Sequence, residues 1–409
     1  MQQISLAPPE EDLTADELIR RARELRPILL GEQLATEERG TYSPEQHERF
    51  DQAGFYRILQ PRRFGGYELD VANFVRVIIE IARGCPSTGW CLCLAAGHHV
   101  QLAGAFSART QTEVYGTTGF FAAPCRPIPM GVAVPVEAGW RISGEWDYCS
   151  GVPYSNYALV AVRLPEGSPA PVGLAVVPRD SFTELDDWRV NAFGMRGSGS
   201  NTITIDGATV PDHYVVPGAL PQLSKGAESP GYLLHGNPMY SGLSDGYNQM
   251  EIAAVLVGAA WAAVDEFDRL LRTKSTGGPK PAPRYTAPDY QRWLAEAVAK
   301  VTVAEQALLS SATTYRQSCA DAVAHGPAAA AHDTATRLLV VHQVADLVWE
   351  AVELLYKTSG SSEGGRTKTR MQRYYRDVST AMTNIVPKFG TSVAGFAAAH
   401  FGLDTPNIV

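Results

Sequence analysis

NAFGMRGSGSNTITIDGATVPD, residues 191–212, is the stretch on which the reading of the whole chain turns. A dinucleotide-binding turn needs G-x-G-x-x-G between a strand and a helix, so that a pyrophosphate meets the helix N-terminus. Here the order is reversed. Gly194, Gly197 and Gly199 come first, and Thr202-Ile203-Thr204-Ile205 follows with the period of two of a half-buried strand. Asp206-Gly207 is expected to turn a hairpin, with Ala208-Thr209-Val210 as the returning strand. The pattern disfavours a Rossmann site and predicts a glycine-permitted loop feeding a β-hairpin. Its amides and the hydroxyls of Ser198, Ser200 and Thr202 suit a flat ligand or a phosphate, and equally a tight sheet corner.

On either side of this stretch the texture changes. From about Thr14 to Glu113 the pattern is helical, and TADELIRRARELRPILLGE (14–32) starts on a Thr with a Glu three positions later, as in a capping box. PRRFGGY (61–67) is a loop between two such helices. From about Thr118, short alternating or apolar runs separated by Gly, Pro and Ser predict an antiparallel β-domain. Beyond Tyr240 helical periodicity returns over 246–272, 287–324, 328–358 and 369–386, which predicts an up-and-down four-helix bundle. The expected organisation is therefore α+β in three parts: helices over 1–117, a β-domain over 118–239 and a bundle over 240–409.

A chain of 409 residues with 45% hydrophobic content can bury two or three cores. Its net charge of −8, with the basic residues scattered, disfavours nucleic acid and anionic membranes as partners. Six cysteines show no C-x-x-C pairing, so neither a metal site nor a disulfide framework is expected. The PPEEDLTADE near the start lacks the basic-then-apolar run of a signal peptide, which predicts a cytoplasmic location. The longest uncharged apolar run, Ile252 to Val264, is too short for a span of about 20 residues.

The order of helices, β-domain and bundle, with the motifs it carries, resembles the acyl-CoA dehydrogenase fold. AGFYRILQPRRFGGYELD (53–70), ISGEWDYCSG (142–151), FGMRGSGSNTITIDGATVPDH (193–213) and QRYYRDVSTAMTN (372–384) all match its pattern in order and spacing. Within that superfamily, ARGCPSTGWCLCLAAGHH (82–99) and the GEWDYCSG form are similar to the two-component (group D) flavin-dependent monooxygenases of the 4-hydroxyphenylacetate 3-hydroxylase type. The resemblance implies a homotetramer packed through its bundles and served by a separate NAD(P)H:flavin reductase that delivers reduced FMN or FAD. With O2 the flavin would form a C4a-hydroperoxide and hydroxylate an aromatic or polyketide-like substrate.

Two branches of the superfamily are separated by a base. A dehydrogenase needs a carboxylate to take the substrate α-proton. Its common place, nine residues beyond Arg376, holds Ile385, whose alkyl side chain accepts nothing. Other branches take the base from the first bundle helix, where Glu251 stands; a glutamate near a helix start also complements the dipole. The alternative reading is therefore a dehydrogenase or oxidase with a displaced base, and a third is a non-catalytic binding module. For the monooxygenase, the W-x-x-x-S-G strand implies that Ser150 faces flavin N5, with Gly151 admitting the ring and no carboxylate opposite. Trp146, Arg196, Ser198, Ser200 and Thr202 complete the implied flavin contacts.

Removing a phenolic proton helps oxygen transfer, and relatives commonly supply a histidine eight residues after the RD arginine. This chain has Asn384 there, which hydrogen-bonds but takes up no proton near neutral pH. His98 and His99 lie just beyond Trp90, with His98 eight residues, or about two helical turns, on. The expected substrate contacts are therefore Trp90, His98, His99 and Asn384, with His98, Ser150 and Asn384 in catalysis. His213 and His400 are read as structural, Cys91 and Cys93 as pocket or core thiols. Arg373 and Arg376 are expected to pair with Asp377 and the bundle, or to reach a flavin phosphate in a neighbouring subunit.

Overall fold

Thr14 starts the first helix as its position predicts: its Oγ1 accepts the Glu17 backbone N–H at 3.2 Å, and the helix, α1, runs Ala15–Arg39. The reciprocal half of the capping box is replaced by charge, because the Glu17 carboxylate pairs with Arg20 at 2.7 Å and Arg21 at 3.0 Å. In the computed structural model, which describes residues 7–403, the N-terminal part continues with α2 (Pro44–Gln52), α3 (Val71–Gly84), α4 (Pro86–Ala96), α5 (His99–Ala105) and α6 (Ala108–Thr118). Residues 1–6 and 404–409 of the outer two expected segments lie outside the described residues.

The middle segment forms a seven-stranded sheet from β1 (Cys125–Val136), β2 (Gly139–Trp146), β3 (Tyr157–Arg163), β4 (Val172–Pro178), β5 (Thr183–Glu184), β6 (Ile203–Val210) and β7 (Val215–Pro217). The spatial order is β5-β6-β2-β1-β3-β4-β7. All pairs are antiparallel except β1 with β3, which departs from the wholly antiparallel expectation. A second departure concerns the opening stretch. Asp206-Gly207 makes no hairpin: β6 is one strand paired along β2, from Trp146↔Ile203 to Trp140↔Val210. Between Ile142↔Ala208 and Gly144↔Ile205, Asp206 and Gly207 together oppose the single residue Ser143. Gly207 has φ +67° and donates its N–H to Ser143 Oγ at 3.1 Å, so the left-handed glycine makes a bulge. The same residue pair serves both devices, and only the partner strand decides between them.

A short α7 (Trp188–Asn191) and α8 (Pro230–His235) lead to the bundle: α9 (Tyr247–Thr273), α10 (Pro288–His325), α11 (Ala331–Thr358), the turn α12 (Ser361–Gly364) and α13 (Arg370–Ile385). A fifth helix, α14 (Phe389–Phe401), was not expected. The N-terminal helices and the bundle share one apolar cluster that runs from Leu18 and Ile78 through Val255 to Val348 and Val378. A second cluster sets Ile142, Trp146 and Val160 of the sheet against Leu102 of α5 and Tyr115 of α6. The apolar run of α9 is thus covered within the chain, by α3 and α4 on one side and by the other bundle helices on the rest. It requires no neighbouring subunit.

Candidate active site

A cavity of about 400 Å³ lies where the end of α4, the start of β1, the turn after β2, the 195–200 loop, α9 and α13 converge. That is the size of an ordinary cofactor or substrate site. Ser150 stands in its wall. The Trp90 indole N–H donates to Ser150 Oγ at 3.0 Å, and Ser150 Oγ shares a hydrogen bond with Ser200 Oγ at 2.7 Å. Ser200 in turn meets Ser198 Oγ at 2.6 Å. A hydroxyl has one hydrogen and two lone pairs, so Ser150, 7% exposed, keeps one position free for a ligand. Trp90, Tyr148 and Trp188 give the cavity flat aromatic surface.

The 195–200 loop owes its shape to α13. Met195, at φ +53°, donates its N–H to Asp377 Oδ1 at 2.6 Å, and its carbonyl accepts the Trp188 indole N–H at 2.8 Å. Burial, opposed by that Met195 N–H and by the Arg376 charge, pushes the Asp377 carboxyl up to about 7. Arg373 and Arg376 pair with Glu37 of α1, at 2.9 and 2.6 Å, rather than with Asp377. Burial raises Glu37, but the hydrogen bonds from Arg373 and Arg376 outweigh it and leave the carboxyl below its usual range.

Helix α4 stops at Ala96, and His98 sits at the N-cap of α5 with φ −79° and ψ 16°. The continuous helix expected from Trp90 to His99 is therefore broken, yet Trp90 and His98 both line the cavity. His98 Nδ1 faces the Ala123 carbonyl at 2.7 Å, and its Nε2 faces Glu251 Oε1 at 3.5 Å. Glu251 lies in the second turn of α9, is buried, and lines the same cavity. The expectation that no carboxylate waits opposite Ser150 is overturned, and so is the reading of Glu251 as a dipole-complementing residue at a helix start.

Asn384 also lines the cavity, where its Oδ1 accepts a hydrogen bond from Lys388 Nζ at 2.7 Å. Lys388 is exposed at the mouth; the protein packed around it, and then the like charge of Arg126, lower its ammonium from the ordinary range. Arg126, another lining residue, is paired with Asp147 at 2.7 Å.

Other expected contacts are placed elsewhere. His99 is a core residue: Nε2 meets the Tyr56 carbonyl at 2.9 Å, Nδ1 the Tyr115 hydroxyl at 3.2 Å, and burial drives it down to about 3. The reason is its first-turn position in α5, which turns it away from the cavity that His98 faces. Trp146 fills the sheet core and donates to the Ala161 carbonyl at 2.9 Å. Gly151 packs on α4, where a Cβ would lie 2.7 Å from the Cys91 carbonyl oxygen, so it serves helix contact rather than ring approach. Thr202 donates its hydroxyl to Asp187 at 2.6 Å, and Ser198 stands behind Ser200. Arg196 borders a second hollow with Glu37, Lys368 and Arg376. Arg126, Trp188 and Lys388 were missed as cavity residues, and Glu251 was weighed only as a displaced base. Only Lys388, one turn beyond Asn384, and Glu251, a carboxylate at the edge of an apolar run, left a signal in the sequence.

Comparison with known proteins agrees with this architecture. Residues 250–386 match the family described as acyl-CoA dehydrogenase, C-terminal domain. A pigment production hydroxylase from a Rhodococcus species is 29% identical over 97% of this chain and 98% of its own length. The oxygenase component of an FADH2-dependent resorcinol hydroxylase from a Rhizobium species is 30% identical over 63% of this chain and 63% of its own. The solved structure of XiaF from a Streptomyces species in complex with FADH2 and glycerol superposes with a TM-score of 0.85 at 24% identity, covering 97% of both chains. The fold is the acyl-CoA dehydrogenase-like fold of flavin-dependent monooxygenases, and the homologues are hydroxylases and oxygenase components. Among the described residues no helix is long and apolar enough to cross a membrane.

Proposed function

We propose that this chain is the oxygenase component of a two-component flavin-dependent monooxygenase, which takes reduced FMN or FAD from a separate reductase and hydroxylates an aromatic or polyketide-like substrate. The observation that carries the reading is Ser150: a buried hydroxyl fixed by the Trp90 indole and Ser200, with one hydrogen-bonding position left toward an aromatic-walled cavity. Those residues fit a flavin ring. The flavin, when bound, supplies the two electrons that let O2 give one oxygen atom to the substrate and the other to water.

The chain's own part is to orient and to shelter. Trp90 has a single N–H to give, and spending it on Ser150 fixes the hydroxyl oxygen within the cavity wall. Ser200 and Ser198 extend the line of hydroxyls into the loop that Asp377 holds through Met195, so the ring-facing hydroxyl is braced from α13. Trp188, Leu94 and Ile252 exclude water from the same space. In the same lining, Asn384 and Lys388 supply the polar groups for a substrate oxygen, beside His98. Assembly as a homotetramer is part of this proposal. It is supported by apolar side chains left exposed on α14, among them Phe389 and Phe401.

The test is to mix the purified protein with reduced FMN or FAD, labelled O2 and a panel of phenols. The expected result is a product carrying one labelled oxygen and a transient flavin absorbance distinct from both the oxidised and the reduced forms. Reoxidation at the rate of free flavin, with no oxygenated product from any member of the panel, would sink the reading. Glu251 in the cavity supports a second reading, an acyl-CoA dehydrogenase that takes its base from α9. That reading expects tightly held oxidised FAD, bleached by an acyl thioester without any reductase.

A further inference from the structure

The contact between His98 and Glu251 fixes a proton count. A carbonyl oxygen only accepts, so His98 Nδ1, 2.7 Å from the Ala123 carbonyl, carries a hydrogen committed to that bond. A neutral imidazole would then have only a lone pair on Nε2, and that lone pair would face a carboxylate oxygen 3.5 Å away. Both side chains are nearly inaccessible, at 5% and 2% exposure, so bulk solvent does little to weaken the repulsion. One proton between the two atoms removes the conflict and leaves the pair electrically neutral. The site is built to admit the carboxylate: a Cβ at Gly97 would stand 2.4 Å from Glu251 Oε2. That oxygen has no hydrogen-bond partner among the described residues.

The surrounding groups leave the proton on the histidine. Cys93 of α4, Cys125 of β1 and Tyr247 of α9 are all held in their neutral forms, first by burial and then by the charge of Glu251 itself. His99 is kept neutral by burial. Arg126 is balanced by Asp147. Burial alone would also empty His98, but the Glu251 charge, its hydrogen bond and the Ala123 and Leu94 carbonyls outweigh it, and the net direction is upward. With these pairs closed, Lys388 is the one cavity cation that has no carboxylate oxygen within 4 Å among the described residues.

We propose that Glu251 is a positioning residue that keeps a second proton on His98, so that the two form a neutral, self-satisfied pair and Lys388 is left as the cavity's uncompensated cation, which takes a phenolic substrate as its phenolate. The inference rests on the oxygenase reading and supplies what Asn384 lacks. The substrate proton is not stored in the site: the phenol loses it to solvent, and the anionic oxygen brings the lining to charge balance. Glu251 acts through His98 and need not touch the substrate.

The test reads His98 directly, in flavin-free protein labelled at histidine Cε1, with its resonance among the nine histidines assigned from H98Q. Wild-type His98 is expected to stay doubly protonated above the midpoint of a free histidine. In E251Q the amide donates to Nε2, so the midpoint should fall by at least about one pH unit, a tenfold change in the ratio of protonated to neutral His98. E251D should restore at least half of that change. A neutral His98 in the wild type, or the same titration in E251Q, overturns the pairing. The second arm adds 4-nitrophenol. Its phenolate absorbance should appear at lower pH when bound than when free, K388M should abolish the displacement, and E251Q, which leaves the charge of the lining unchanged, should keep it; binding as the neutral phenol, or no binding, overturns the anionic substrate. Neither arm needs reduced flavin or oxygen, so failed oxygen transfer with an intact His98 titration would sink the proposed reaction and spare the pair.

Discussion

Ser150 takes a donor it cannot reorient, because an indole N–H has a fixed direction, and passes the remaining freedom to Ser200. S150A would leave the Trp90 N–H buried without a partner, at a cost of roughly 1–3 kcal/mol. On the proposed reaction it would also release oxygen as hydrogen peroxide: we expect hydroxylated product per reduced flavin to fall by about tenfold or more. The ratio of product to peroxide measures this, and unchanged coupling would show that Ser150 only shapes the wall. Asp377 makes a prediction of a different kind. Its Oδ2 is buried without a hydrogen-bond partner among the described residues, while Oδ1 holds Met195. Because its folded pKa, about 7, stands above the unfolded carboxylate value, the folded state keeps a proton that the unfolded state has lost. This group therefore weakens the fold as pH rises from about 4 towards 7, and adds no further loss above. D377N keeps the amide oxygen for Met195 and removes the charge. Its Tm advantage over wild type should grow through that window; a constant difference would contradict the assignment.

Between elements, the buried Glu37 joins α1 to Arg373 and Arg376 of α13, more than 330 residues away in sequence. E37A would strand a buried Arg373, and denaturant unfolding should show a loss of about 3–5 kcal/mol. A loss under about 1 kcal/mol would mean that the helices are held by their apolar contacts alone. The same scale shows where sequence reading succeeds and fails. Long amphipathic periods placed the four bundle helices within three residues of their observed ends, since the helix face is set by local spacing. Asp206-Gly207 was misread because a bulge and a hairpin use one glycine conformation, and the choice lies in the register of β2. Trp90, Ser150, His98 and Asn384 are brought to one cavity, as the motifs implied. His99 was not separable from His98 by spacing, since Gly97 breaks the helix just before them. Glu251 stood out as a carboxylate beside an apolar run, but its contact with His98 lies between two elements, and local spacing does not show it.

At the level of the molecule, α14 leaves Phe389, Val393 and Phe401 at 46%, 42% and 69% exposure, too much apolar surface for one helix to show water without a reason. If copies of the chain meet there, the double variant V393E/F401E should sediment as a smaller species than wild type at equal concentration. An unchanged sedimentation coefficient would move the contact to another face. The shared core of the N-terminal helices and the bundle also bears on how the chain is made. Helices α1, α3 and α4 leave the ribosome first, but the surfaces that cover them belong to α9 and α13, which are translated only after the entire sheet. The nascent protein must carry uncovered greasy helices through most of its synthesis. A stop codon placed before α9 should accordingly yield a fragment that clings to chaperones instead of one that behaves as a free-standing domain.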